Sequence, residues 1–166
     1  MDTWPRHDGR AVVLSVVLTL DRATYDAIVA HAKRDHPDEA CGVVAGPAGS
    51  DSAQRFIPMV NAAGSPTFYE FDSTELLALY RDMDARDEEP VVVYHSHTAT
   101  EAYPSRTDIA LAQEPDAHYV VVSTREFGNN EGPVEFRSYR IVEGTVTEEE
   151  VAIVEAPAAP QDRSTT

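Results

Sequence analysis

The sequence predicts an α/β domain built on a mixed β-sheet flanked by helices. Two observations carry this prediction. Short apolar runs rich in Val and Leu are interleaved with two segments of 3.6-residue periodicity, and the last third of the chain reads as hairpin-linked strands. With 166 residues, 42% of them hydrophobic, the chain can bury one ordinary core and is too apolar to be disordered throughout. No internal repeat and no second domain is legible. The expected division is a loose tail over 1–10, one domain over 11–155 and a polar, proline-bearing disordered tail over 156–166.

Each element has its own signal. Val12 to Leu20 is apolar and makes the first strand. Arg6 and Arg10 ahead of Ala11 to Leu18 mimic a targeting segment. However, no small-x-small cleavage site follows, Asp21 and Arg22 arrive directly after the run, and it is too short to span a bilayer. Asp21 offers an N-cap, and Tyr25, Ile28, Val29 and Ala32 share one face of a helix that Pro37 stops. Cys41 to Ala45 is a short apolar strand ended by Gly46-Pro47. Gln54 to Val60 is another, with Pro58 pointing to an edge or bulge. Asp72 with Glu75 three residues on opens a second helix through Leu76, Leu77, Leu79, Tyr80 and Met83. Pro90 precedes a buried strand, Val91 to Tyr94, a short helix begins near Ser105, and His118 to Ser123 is a further strand. Val134 to Val142 alternates and meets Val146 across Glu143-Gly144, a hairpin signal, and Val151 to Val154 is the last strand.

Charge and cysteine content exclude several functions. Against 29 Asp+Glu stand only 13 Lys+Arg, a formal net charge of -16, which disfavours nucleic acid and anionic membrane surfaces as partners. The one cysteine, Cys41, cannot form an internal disulfide or a multi-cysteine zinc site, and a cytoplasmic protein is expected.

The chemistry concentrates in Tyr94 to Asp108, YHSHTATEAYPSRTD. His95 and His97 stand two apart at the end of a strand, so both imidazoles point to one face. A loop of seven residues, Thr98 to Pro104, leads to Ser105, with Asp108 three further on, in the first turn of the expected short helix. Two His and one carboxylate make a three-ligand catalytic metal site with a fourth position open. Taken alone, Ser-x-x-Asp reads as a capping box, and the two roles are compatible. A chance match to the whole pattern in this composition is roughly of order 10⁻⁴. A hydrolase of this kind also needs a carboxylate base, for which so acidic a chain offers many candidates. Cys41 is expected in the core, and His118 as a structural hydrogen-bonder. His31 and His36 are expected to be served by solvent or helix-dipole contacts. Tyr94, Tyr103, Phe68 and Tyr69 are either walls of a substrate groove or ordinary core aromatics.

His95-Ser96-His97, seven residues, then Ser105-x-x-Asp108, preceded by the Glu of Asp38-Glu39-Ala40-Cys41-Gly42, resembles the motif of the JAMM (MPN+) metalloproteases. The likeness runs through roughly Val12 to Val154. The runs HAKRDHPDEACGV, SPTFYEFDS and EPDAHYVVVSTR look most similar to the actinobacterial subgroup called Mec. The resemblance implies an MPN-type, cytidine-deaminase-like fold, with zinc held by His95, His97 and Asp108. It implies Glu39 as general base and acid, and Ser105 as a stabiliser of the oxyanion. It also implies a substrate, the bond between the C-terminal Gly-Gly of a ubiquitin-like sulfur carrier (CysO type) and an attached cysteine, cleaved in cysteine biosynthesis. Thr98 departs from many bacterial relatives, where proline often follows the second His, but it lies outside the ligand set. The long insertions with which polyubiquitin-specific relatives grip a second ubiquitin are missing. Broader trimming of ubiquitin-like conjugates and a non-catalytic MPN scaffold are the competing readings, and a zinc deaminase is disfavoured because Pro-Cys-x-x-Cys is absent.

Overall fold

The computed structural model describes residues 17–126 and 132–155; the expected tails, and residues 12–16 of the predicted first strand, lie outside them. In chain order the elements are β1 (Val17–Asp21), α1 (Arg22–Asp35), β2 (Cys41–Pro47), β3 (Arg55–Met59) and α2 (Ser73–Ala85). There follow β4 (Glu88–His97), α3 (Arg106–Leu111), β5 (His118–Ser123), β6 (Glu135–Val142) and β7 (Thr145–Val154). The strands form one seven-stranded sheet in the order β1-β7-β6-β5-β4-β2-β3. The pairs β4/β5 and β1/β7 are parallel and the others antiparallel, so the sheet is mixed, as expected.

Side-chain alternation sorts the core into two faces. Leu18, Leu20, Val44, Val92, Tyr94, Val120 and Val122 pack with Ile28 and Ala32 of α1. Val93, Tyr119, Val121, Tyr139 and Ile141 form a second cluster, while Cys41, Val43, Ala45 and Met59 meet Leu79 and Met83 of α2 in a third. Burying each large aliphatic side chain contributes about 1.5–3 kcal/mol. The caps follow the sequence: the Asp21 side chain accepts from Thr24 N, and that of Asp72 from Thr74 N and Glu75 N. Pro58 lies in the edge strand β3, which leaves its missing N–H harmless.

Two strand boundaries differ from the sequence reading. β4 does not begin after Pro90; it starts at Glu88 and passes through Pro90 where the register against β2 slips, Val44 facing Val92 but Ala45 facing Pro90. The slip leaves Val91 out of the ladder, and a proline is tolerated beside such a bulge. Val151 to Val154 is not a separate strand either. It is the second half of β7, whose first half pairs with β6 and whose second half pairs with β1.

Gly42 faces Tyr94 across the β2/β4 ladder, and a Cβ there would run into the Tyr94 ring. We therefore expect Gly42→Ala to cost about 1–3 kcal/mol by overpacking. A thermal melt checks this, and an unchanged Tm would contradict the packing described.

Candidate metal centre and active site

The site forms where the parallel strands β4 and β5 end and the chain crosses over through α3. His95 and His97, the last alternating residues of β4, are buried and project to the same face. Their Nε2 atoms lie 3.1 Å apart. Ser105 caps α3 and forms a capping box with Asp108: Asp108 N donates to Ser105 Oγ (3.1 Å), and Ser105 N donates to Asp108 Oδ2 (2.7 Å). The box turns the Asp108 carboxylate back over the strand end, so that Oδ2 sits 3.0 Å from His95 Nε2 and 3.1 Å from His97 Nε2. The cap expected of Ser-x-x-Asp forms, and the Asp108 carboxylate still faces both imidazoles.

This donor set fits a tetrahedral metal ion. The three candidate ligand atoms lie within 4.8 Å of one another. Their spacings of 3.0 and 3.1 Å are close to the edge of about 3.3 Å that bonds of about 2.0–2.1 Å would give in a tetrahedron. His97 Nδ1 donates to the Glu101 carbonyl (2.9 Å), so the neutral imidazole would turn its Nε2 lone pair to a metal, whereas the metal-free imidazolium donates from Nε2 to Asp108. An arrangement of two imidazole nitrogens and a carboxylate oxygen aimed at one point is what a divalent cation needs.

The electrostatics agree. Burial opposes ionisation of Asp108, but hydrogen bonds to His95, His97 and Ser105 N outweigh it and hold the carboxyl well below the usual carboxylate range. Burial lowers His95 below the ordinary imidazole value. Burial also acts to lower His97, but its bonds to Asp108 and to the Glu101 carbonyl prevail and raise it.

Glu39 stands beside this triad, in the irregular segment between α1 and β2, only 5% exposed. Burial pushes its carboxyl up to about 7, with the nearby His97 charge acting against that and the Asp108 charge adding to it. A carboxylate that exchanges a proton near neutrality is suited to acid–base work.

The remaining aromatics divide. Tyr94 is not a groove wall: it lies on the α1 side of the sheet, its hydroxyl 2.6 Å from His31 Nδ1. Tyr69 stacks on the His95 ring, centroids 4.6 Å apart at 23°, and with Phe68 lines a cavity of about 440 Å³. Tyr103 is half exposed and meets Tyr139 edge-on. His31 is not served by solvent; it is buried between Tyr94 and Asp35, because its helix face packs on the sheet. His36 bonds Thr124 Oγ1 through Nδ1. His118 is fully buried between Glu149 and Asp51, a structural role as expected, and Cys41 is a core thiol that burial pushes up to about 12.

Sequence reasoning missed two residues that frame Glu39. Ser96, between His95 and His97, points to the opposite face, where its Oγ accepts from Ala40 N (2.8 Å). Asn61 donates to the Glu39 carbonyl (3.1 Å). The alternation rule places Ser96 on that face, but no local pattern marks Asn61.

The strand–helix site and the mixed sheet define a JAB-type domain. The family described as prokaryotic homologs of the JAB domain matches residues 21–142, and the chain belongs to it. Proteins of Mycobacterium bovis and Mycobacterium tuberculosis named CysO-cysteine peptidase are 63% identical to it over 139 residues, 84% of this chain and 92% of theirs. A Haloferax volcanii protein named desampylase is 32% identical over 111 residues, 64% of this chain and 80% of its own. Among solved structures, a Desulfitobacterium hafniense protein determined in solution superposes with a TM-score of 0.70 at 31% identity, covering 84% of this chain and 94% of that one. No helix among the described residues is long and apolar enough to cross a membrane.

Proposed function

We propose that this chain is a zinc metallopeptidase that hydrolyses the bond between the C-terminal glycine of a ubiquitin-like sulfur carrier of the CysO type and an attached cysteine. The observation that carries the reading is the convergence of His95, His97 and Asp108 beside the buried Glu39. Its support from relatives is the 63% identity to proteins named CysO-cysteine peptidase. His95 Nε2, His97 Nε2 and Asp108 Oδ2 would hold the zinc, which when bound would supply a Lewis acid for the scissile carbonyl and for acidifying water. Glu39 takes the proton of the attacking water and returns it to the departing amine of cysteine. Ser105 Oγ accepts from Asp108 N, which leaves its own O–H to donate to the oxygen of the tetrahedral species. The products are the carrier with a free C-terminal carboxylate and free cysteine. The single cysteine, buried and without a disulfide, suits a cytoplasmic enzyme.

In the same reading the cavity beside Tyr69, lined also by Phe68, Leu76, Tyr80 and Leu111, receives apolar side chains of the carrier. Leu111 is 56% exposed and not part of the core. Leu111→Glu should raise KM for the carrier adduct about tenfold, the scale of a moderate hot spot, without changing kcat or zinc content. Steady-state kinetics decide it, and an unchanged KM would remove the cavity from the docking surface.

The relative named desampylase favours a second reading, the trimming or deconjugation of ubiquitin-like proteins more broadly. Intact-mass spectrometry on carrier adducts with cysteine, a dipeptide and a lysine isopeptide, run side by side, separates the two. Preferential release of cysteine supports the first reading, and equal cleavage of all three supports the second.

A further inference from the structure

Glu39 and Ala40 lie between α1 and β2, outside both elements, so no helix or strand ladder holds the backbone that aims the Glu39 carboxylate. Specific contacts hold it instead. Ala40 N donates to Ser96 Oγ (2.8 Å) and Ser96 N to the Ala40 carbonyl (3.0 Å), which fixes the segment to the strand bearing the two histidines. On the other side Glu39 N donates to the Ser65 carbonyl (2.9 Å), and the Glu39 carbonyl accepts from Asn61 Nδ2 (3.1 Å).

Asn61 uses its whole carboxamide. Nδ2 donates to the carbonyls of Glu39 and Phe68 (2.9 Å), and Oδ1 accepts from Ala63 N (3.0 Å) and Glu70 N (3.1 Å). Two donors and two acceptor sites on one short side chain are matched by no other residue type of this length: Asp lacks the donor, and Ser cannot fill all four. The segment 61–71 that Asn61 closes, its ends bridged at Asn61 and Phe71, also carries Tyr69 onto the His95 ring and receives the Thr98 hydroxyl on the Pro66 carbonyl (2.8 Å). One loop therefore touches the segment of the base and the strand of the metal ligands, and Asn61 is its closure.

We propose that Asn61 is a positioning residue for Glu39, clamping the Glu39 carbonyl to the 61–71 loop and so setting the aim of the carboxylate. This rests on the reading of Glu39 as the base. Misplacing a reacting group by about 1 Å can cost a hundredfold in rate, so a loosened Glu39 lowers kcat.

Asn61→Asp keeps the acceptor for Ala63 N and Glu70 N but sets an oxygen against the Glu39 and Phe68 carbonyls; Asn61→Ala removes the whole clamp. In both, kcat for the carrier–cysteine adduct should fall at least tenfold with zinc content unchanged; KM is no criterion here, because the same loop carries Phe68 and Tyr69 of the cavity. In a Glu39→Gln background the same substitutions should cause no further loss, because a residue that acts through Glu39 has nothing left to aim. Amide hydrogen exchange needs no substrate: in Asn61→Ala, exchange at Glu39 and Glu70 should accelerate at least tenfold. An unchanged kcat, or an equal further loss in the Glu39→Gln background, overturns the proposal. So does unchanged exchange at both amides, even if no substrate is turned over. Full turnover by Glu39→Gln alone instead sinks the base assignment, which keeps the two failures apart.

Discussion

Glu39→Gln is expected to keep its zinc and to lose turnover by about 10²–10⁴-fold, the usual contribution of a positioned acid–base group. The amide has nearly the carboxylate's volume but cannot take a proton from water or deliver one to an amine. None of the three converging ligand atoms belongs to Glu39, so zinc stoichiometry should not move. The same substitution has a second consequence in metal-free protein. Burial raises the folded-state carboxyl to about 7, above the ordinary value of 4.5, so the fold prefers the protonated acid. Folded protein then binds more protons than unfolded protein, and this group's contribution to stability falls as pH climbs from about 4.5 to about 7. Glutamine carries no such penalty. Metal-free Glu39→Gln should therefore melt higher than metal-free wild type at pH 8, by up to about 3 kcal/mol of stability, and close to it at pH 4. Equal melting at both pH values would contradict the burial of an ionisable carboxyl. Wild-type turnover in the variant would remove Glu39 from the mechanism.

His97→Ala is expected to abolish stoichiometric zinc and, with it, turnover. His97 offers one of the three candidate ligand atoms, and its Nδ1 bond to the Glu101 carbonyl favours the tautomer that presents Nε2 to a metal. Loss of such an outer hydrogen bond alone costs about 10–100-fold in metal affinity, and removal of the ligand itself must cost more. The substitution also strips Asp108 of one of the bonds that keep it ionised, so its carboxyl should rise toward the ordinary range. Metal analysis after dialysis, with circular dichroism as a check on folding, reads the result. One zinc per folded chain in His97→Ala would refute the ligand assignment.

The candidate site was legible because its signals are local. His95 and His97 lie two apart on a strand, and Ser105 and Asp108 three apart at a helix start, and each spacing fixes a direction through backbone geometry alone. The caps at Asp21 and Asp72 were legible for the same reason. What stayed hidden depends on distant partners. Pro90 sits inside β4 because the neighbouring Val91 bulges out of the pairing with β2, and β7 is one strand because two different neighbours share its length. His31 is buried because its helix face packs on the sheet, where the Tyr94 hydroxyl, 63 positions later, offers it a bond. Asn61 has no signature at all: its partners include Glu39, 22 residues upstream, and nothing in the nearby sequence announces that contact.

In the proposed reaction, zinc on His95, His97 and Asp108 works with Glu39 to cleave a carrier–cysteine bond. The most direct test is an intact-mass time course of a CysO-type carrier–cysteine adduct with the zinc-loaded protein, after chelation, and after zinc is returned. The carrier should lose one cysteine, with arrest on chelation and recovery when zinc is returned. An adduct left intact by protein holding one zinc per chain, or cleavage indifferent to chelation, would contradict it.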